Sequence, residues 1–204
     1  MFNRRTLIPA LAAAAMAIAP AAAYASTSTF GSSLNHTPAN AGSTCADDGV
    51  GNDPLALCTH VGSDYPGFSG HAQAKTNGTI TQLKVRPEGP MTFTAEVVNV
   101  RNVSSDFESG QAQATQRSRQ ITVPGPTQDE ADNGIYPIQT VNVHMKVRKG
   151  QELAINTASN TAEYCSDGTP GQLLFQPVLA PNHPFQSSAG VDDCLMLIQA
   201  VVKH

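Results

Sequence analysis

The sequence predicts an all-β protein, an antiparallel two-sheet sandwich with two disulfide bonds. Thr- and Val-rich segments alternate apolar with polar residues, Pro and Gly recur every few residues, and nothing after residue 25 keeps a 3.6-residue apolar period. The even spacing of strands and turns favours two stacked sheets, with a jelly roll as one such arrangement.

The first 25 residues have the parts of a secretory signal peptide. Arg4 and Arg5 precede an Ala-rich apolar run, and Ala23-Tyr24-Ala25 is a small-x-small cleavage site ahead of Ser26. Two prolines interrupt the run, so it fits a membrane anchor poorly, and no later segment could span a bilayer. General secretion and the twin-arginine route both fit. We therefore expect a secreted or cell-surface protein.

Residues 26–204 are expected to form one secreted domain, irregular and disulfide-tied over 26–78 and built of core strands over 79–204. The signal peptide holds two of the twelve basic residues and no acidic one, so ten basic residues face sixteen acidic ones and the net charge is −6. A negative chain disfavours nucleic acid and anionic membranes as partners.

The four cysteines all follow the signal peptide, and an even number in an oxidising compartment indicates two disulfides. We expect Cys45–Cys58 and Cys165–Cys194, because each pair closes a modest loop and the pairs lie at opposite ends of the chain. In the chain-entropy model each contributes roughly 3–4 kcal/mol. No cysteine pair has the close spacing of a zinc site.

Alternating segments mark the first strands of the core. Residues 79–86 and Met91–Val97 each alternate, and Pro87–Pro90 forms the turn between them. The apolar parity then moves by one residue, which predicts a β-bulge near Val97 and Val98.

The later strands are predicted from the same patterning of apolar and polar residues. Residues 140–148 and 150–157 are expected to pair as an antiparallel hairpin that turns at Lys149-Gly150. Residues 173–175 and 195–202 supply two more strands, and the last is expected to be central because it is almost continuously apolar. Residues 104–133 are polar, with only Ile121 and Val123 as plausible strand residues, and are expected to form a long exposed loop.

A disulfide between Cys165 and Cys194 would draw Glu163 and Asp167 toward Asp192 and Asp193. Crowded carboxylates repel unless they are solvated, partly protonated or neutralised by a cation such as calcium. Three interpretations stay open: solvated turns, a calcium site, or an acid and base pair for catalysis.

Asp47 and Asp53, with two glycines between them, form a second oxygen-rich loop inside the Cys45–Cys58 segment. The loop lacks the spacing of an EF-hand, so its match to a calcium site is compositional, and a plain disulfide loop is the alternative.

Other chemistries find little support. Gly67–His71 lacks the spacing of a nucleophile elbow. The six histidines form no metal-binding pair in the sequence and are expected to be scattered over the surface or the loops. Stacking sites for sugars are few, because the chain has no Trp.

Two segments contain recognisable strand motifs. Gly78–Val85 reads G-x-I-x-x-L-x-V and leads through a Gly-Pro turn into a second strand, and Val141–Ile155 holds V-x-V followed by G-x-x-L-A-I. Over about residues 76–202 the chain resembles exported actinobacterial proteins of unknown function. The resemblance implies a secreted β-sandwich and carries no catalytic residue.

From the sequence we expect a non-enzymatic extracellular or cell-surface protein that presents loops to a polysaccharide or to another protein. The alternative is a secreted hydrolase that uses two carboxylates of the cluster Glu163, Asp167, Asp192 and Asp193.

Overall fold

The computed structural model describes residues 26–39, 45, 50, 56–62, 70–165 and 171–204. The predicted signal peptide lies outside them. The described elements are β1 (Thr27–Ser32), β2 (Cys58–Gly62), β3 (Gly70–His71), β4 (Gly78–Val85), β5 (Met91–Arg101), β6 (Gln111–Val123), α1 (Gln128–Asp132), β7 (Gln139–Val147), β8 (Glu152–Thr157), β9 (Glu163–Cys165), β10 (Gln172–Phe175), β11 (Gln186–Ser187), β12 (Gly190–Asp192), β13 (Cys194–Met196) and β14 (Ile198–Lys203).

The strands form two main antiparallel sheets and a ribbon. A five-stranded sheet has the order β3-β1-β14-β4-β7, a seven-stranded sheet has the order β11-β6-β5-β8-β2-β10-β12, and β13 pairs with β9 in the ribbon. Disulfides join Cys45 to Cys58 and Cys165 to Cys194. The predicted all-β sandwich and both disulfide pairings are confirmed.

The main core lies between the two large sheets. Ile80, Leu83 and Val85 of β4 face Phe93 of β5 and Ile155 of β8, and all five side chains are buried. Alternation places Leu83 and Val85 on the core face, and a register shift between Ile80 and Gln82 brings Ile80, three residues before Leu83, to the same face.

The seven-stranded sheet also buries its other face. Val98, Ala154 and Leu173 lie on that face and pack with Leu179, which follows β10 in the chain. Val97 and Val98, although adjacent, contribute to different cores, and the register of β5 against β6 shifts between them. The predicted bulge is confirmed.

The strand predicted over residues 195–202 is divided between two sheets: Cys194–Met196 (β13) pairs with β9 in the ribbon, and only Ile198–Lys203 (β14) has the interior position that the apolar sequence predicts. β14 pairs with β1 on one side and with β4 on the other. Gly31 of β1 has a φ of 98°, and a β-carbon there would meet the carbonyl of Ile198. Glycine is required at this close approach of β1 to β14.

The predicted hairpin of residues 140–148 with 150–157 is wrong. β7 pairs with β4 in the five-stranded sheet, whereas β8 pairs with β5 and β2 in the other sheet. The turn at Gly150 (φ 84°) carries the chain from one sheet to the other. Alternation places both strands on the same core, but it does not specify which strand each one pairs with.

The predicted loop over residues 104–133 is wrong for its central part. Thirteen of these residues form β6, the longest strand described, and five more form α1. Ala112, Ala114, Ile121 and Val123 of β6 are buried, while a polar stretch between them is largely exposed. Small alanines and the exposed stretch hide the strand from an apolar-alternation search.

The helix α1 has no buried residue and is held by a capping box, in which Thr127 and Glu130 bond each other's backbone N–H groups. In the described part of the chain, no helix is long and apolar enough to cross a membrane.

Candidate functional site

A polar cluster lies under one end of the seven-stranded sheet. His60 comes from β2, Gln172 from β10 and Asp192 from β12, three neighbouring strands. Asp192 lies directly opposite Gln172, and Gln172 lies opposite Gly62, two residues beyond His60. Alternation therefore places the three side chains on one face of the sheet.

The ribbon supplies the fourth member, Glu163, from β9. Its strands are joined by Cys165–Cys194, and Cys194 lies opposite Cys165 in the register. The ribbon is held to its surroundings by backbone bonds, among them Ala39 N–H to the carbonyl of Glu163 at 3.1 Å. These contacts fix Glu163 against the face that carries His60 and Asp192.

Gln172 lies at the centre of the hydrogen bonds. Its Nε2 donates to Asp192 Oδ2 at 2.9 Å and to Glu163 Oε2 at 3.3 Å. Its Oε1 accepts from His60 Nδ1 at 3.1 Å and from Asn160 Nδ2 at 3.4 Å. One amide thus links an imidazole with two carboxylates.

The cluster is buried. His60 and Glu163 are 0% exposed and Asp192 is 5% exposed. Burial lowers the pKa of His60 from 6.5 to about 4, and the hydrogen bond to Gln172 opposes that change only in part. His60 is therefore neutral over the whole range of pH in which most proteins are stable.

Three residues of the cluster carry potential metal ligands. The ligand atoms of His60, Glu163 and Asp192 all lie within 4.8 Å of one another. His60 Nε2 also faces the first disulfide, 3.5 Å from Cys58 Sγ and 3.8 Å from Cys45 Sγ. The imidazole thus lies between a disulfide and two carboxylates.

The predicted acidic residues have different fates. Asp192 lies in the cluster and Glu163 joins it, while Asp193 next to Asp192 is exposed. Asp167, Asp47 and Asp53 lie outside the described residues, so calcium binding by these loops stays a prediction. The hydrolase interpretation also stays a prediction, and the burial of Glu163 and Asp192 does not favour access by a substrate.

Two members of the cluster were not predicted from the sequence. The sequence predicts scattered surface or loop histidines, but His60 is buried in the middle of a strand. Gln172 was not singled out at all. The available signal was polar residues inside otherwise apolar strands, Cys58–Gly62 and Gln172–Phe175, since such residues need buried partners.

A second polar network, between the buried Glu96 and the partly exposed Arg117, lies on the other face of the same sheet. Arg117 Nε donates to Glu96 Oε1 at 2.6 Å, and its guanidinium also donates to the carbonyl of Leu179. The N–H of Leu179 in turn donates to Thr59 Oγ1 at 2.8 Å. These bonds hold the segment after β10 onto the sheet.

An open groove of about 690 Å³ runs between β6 and β7. Past Ala112, no described strand pairs with the outer edge of β6, and none pairs with the outer edge of β7. Both sheets therefore end on the same side of the sandwich. We call this feature the edge groove, and its lining residues are Arg117, Ser118, Arg119, Gln120, Ile121, Thr122, Val141, Asn142, Val143, His144 and Met145.

A smaller depression of about 330 Å³ follows the edge groove along the same two strands. It is lined by Lys146 and Arg148 of β7, by amide side chains that include Gln113 and Gln116, and by Asn182. No Asp or Glu is among the residues that line either space. Within the described residues the one ion pair is Glu96–Arg117, so Arg119, Lys146 and Arg148 keep their charge available.

No family model matches the chain, and no curated protein or solved structure is significantly similar to it.

Proposed function

We propose that the protein is exported and acts outside the cytoplasm as a binding protein without catalytic activity, and that the edge groove holds an acidic polysaccharide. The observation that carries the proposal is the lining of the groove. Three basic side chains with no ion-pair partner among the described residues, Arg119 in the edge groove and Lys146 and Arg148 in the adjoining depression, follow one seam in a chain whose net charge is −4.

The shape of the groove fits an extended polymer. The lined part of β6 runs from Gln113 to Thr122, and at about 3.3 Å per residue this makes a channel roughly 30 Å long. It is open to solvent along two strand edges, so a long chain can lie in it without threading.

The chemistry of the lining fits sugars that carry carboxylates. Guanidinium groups bind carboxylates through paired hydrogen bonds. The amides and hydroxyls of Gln120, Asn142 and Thr122 supply the donors and acceptors that sugar hydroxyl groups need. No Phe, Tyr or Trp lines the groove, so binding rests on charge and hydrogen bonds instead of ring stacking.

We assign the partner's binding surface to strand edges, and not to loops alone. Export agrees with the two disulfides, which persist in oxidising compartments. If the predicted signal peptide is removed as expected, the protein recovered outside the cell begins at Ser26, which N-terminal sequencing checks.

The test compares binding of purified, oxidised protein to polygalacturonate, to neutral dextran and to polyglutamate. We expect binding to polygalacturonate that weakens with salt and no binding to dextran. Arg119→Glu, which reverses an exposed charge in the groove, is expected to weaken binding at least about tenfold.

Lys203→Glu is the matched control, because it makes the same charge change at an exposed residue of β14 that lines neither the edge groove nor the depression beside it. Equal loss in both variants would indicate attraction by overall charge alone and would contradict a groove site. Binding of polyglutamate without polygalacturonate would identify a protein partner and overturn the polysaccharide assignment.

A further inference from the structure

The buried cluster has the donors of a metal site. His60, Glu163 and Asp192 come from β2, β9 and β12, and their ligand atoms lie within 4.8 Å of one another. Zinc binds nitrogen and oxygen ligands at about 2.0–2.2 Å in tetrahedral geometry, so two ligand atoms of one ion lie roughly 3.3–3.6 Å apart. Side-chain shifts of less than about 1 Å would bring these three atoms to that spacing.

The type of donors selects the type of ion. Calcium prefers oxygen ligands alone, whereas an imidazole nitrogen beside carboxylates suits zinc and its neighbours in the first transition series.

The amide of Gln172 occupies the place that an ion would take. Its NH₂ group donates to both carboxylates while its carbonyl accepts from His60. An ion bound by these three residues would replace the amide as the group that links them.

Burial adds a reason for a cation to stay. Glu163 and Asp192 are both buried, and like charges at short distance in a poorly solvated site disfavour each other. A divalent ion would remove that repulsion and lock the ribbon β9–β13 to the end of the seven-stranded sheet.

We infer that His60, Glu163 and Asp192 form a binding site for one divalent transition-metal ion, zinc being the ion whose chemistry fits best. The site rests on the buried cluster alone and is independent of the edge groove. Its role is to fasten the ribbon, since burial leaves no open path for a substrate.

The experiment starts from purified, oxidised protein treated with a chelator, into which zinc chloride is titrated in a calorimeter with calcium chloride in a parallel run. We expect one zinc per chain, calcium binding at least about tenfold weaker, and a reversible rise in melting temperature with zinc. Asp192→Asn should weaken zinc binding at least about tenfold. Asp193→Asn, which changes the exposed neighbour, should leave it unchanged.

Nitrogen chemical shifts of the His60 ring in the wild-type protein keep the test decisive if Asp192→Asn does not fold. Zinc is expected to move the signal of one ring nitrogen of His60 and to leave those of the exposed His144 in place. Absence of saturable binding, equal binding by Asp192→Asn, or an unmoved His60 signal would each overturn the site.

Discussion

Glu96 and Glu130 have the same side chain and opposite titration behaviour. Glu96 is buried on β5, and burial raises its pKa from 4.5, although Arg117 and the side chain of Asn156 favour the charged form. Glu130 caps α1, where the backbone N–H and hydroxyl of Thr127 lower its pKa. The environment of each residue decides the direction in which its pKa shifts.

We predict that Glu96→Gln becomes more stable relative to the wild type as the pH rises. Because the pKa of Glu96 is raised in the folded state, Glu96 contributes most to the stability of the fold below its ordinary pKa of 4.5. That contribution is lost as the pH rises through the pKa of the folded state. The amide does not titrate. Urea unfolding at pH 4, 6 and 8 measures the difference, and a difference that stays constant or falls with pH would contradict the prediction.

Glu130→Gln is the matched comparison, with the opposite sign. The lowered pKa of Glu130 means that its carboxylate stabilises the fold above the ordinary pKa, and this stabilisation is lost as the pH falls. We expect the variant to be less stable than the wild type at pH 8 and equal to it at low pH. The same unfolding series measures both variants.

At the scale of single residues, the sequence predicts which cysteines pair better than it predicts which buried polar residues contact each other. The disulfide pairing followed from loop length, and the position of Glu163 near Asp192 followed from that pairing. His60 and Gln172 were missed because their partners come from distant segments. A polar residue in an apolar strand shows that a partner exists, but not which residue it is.

At the scale of elements, the sequence predicts strands well where apolar and polar residues alternate in two consecutive segments. β4 and β5 were expected nearly as observed, and the bulge was placed correctly. β6 was missed because an edge strand keeps only part of its residues in the core, so its exposed half resembles a loop. The hairpin assignment failed because two consecutive strands can line one core from opposite sheets.

The ribbon β9–β13 is the element that most needs its disulfide, since its two strands have three residues each. We predict that replacing Cys165 and Cys194 together by Ala lowers the free energy of unfolding by about 3–4 kcal/mol, the chain-entropy value for their separation of 29 residues. The ribbon should also open before the sheets do.

Hydrogen exchange measures that order of opening. In the double variant, the ribbon amides of Tyr164, Leu195 and Leu197 should lose protection, while the amides between β4 and β14 should keep theirs up to global unfolding. Ribbon amides as protected as those of the wild type would show that packing alone holds the ribbon.

At the scale of the whole molecule, the sandwich and the edge groove have one origin. β7 is the last strand of the five-stranded sheet, and β6 carries only the short β11 beyond it in the other sheet. Stacking the two sheets brings these edges together, so their basic side chains meet along one seam. A pattern within one strand cannot reveal that meeting, which is why the groove was not predicted.

The same stacking makes the last strand indispensable. β14 pairs with both β1 and β4, and its buried Ile198, Ala200 and Val202 lie in the main core. Burying each of the two larger side chains contributes about 1.5–3 kcal/mol, and the strand's loss also breaks two ladders in a fold whose total stability is about 5–15 kcal/mol.

We therefore predict that a chain ending at Leu197 shows no cooperative urea transition by far-ultraviolet circular dichroism. Replacing Gln128–Asp132 by a Gly-Ser segment of equal length is the control, since α1 buries no residue and its removal should change stability by less than about 1 kcal/mol. A normal transition in the truncated chain would mean that β1 and β4 close the sheet without β14. Loss of the transition in both variants would mean that any shortening or loop change unfolds the protein, and the special position of β14 would not explain its effect.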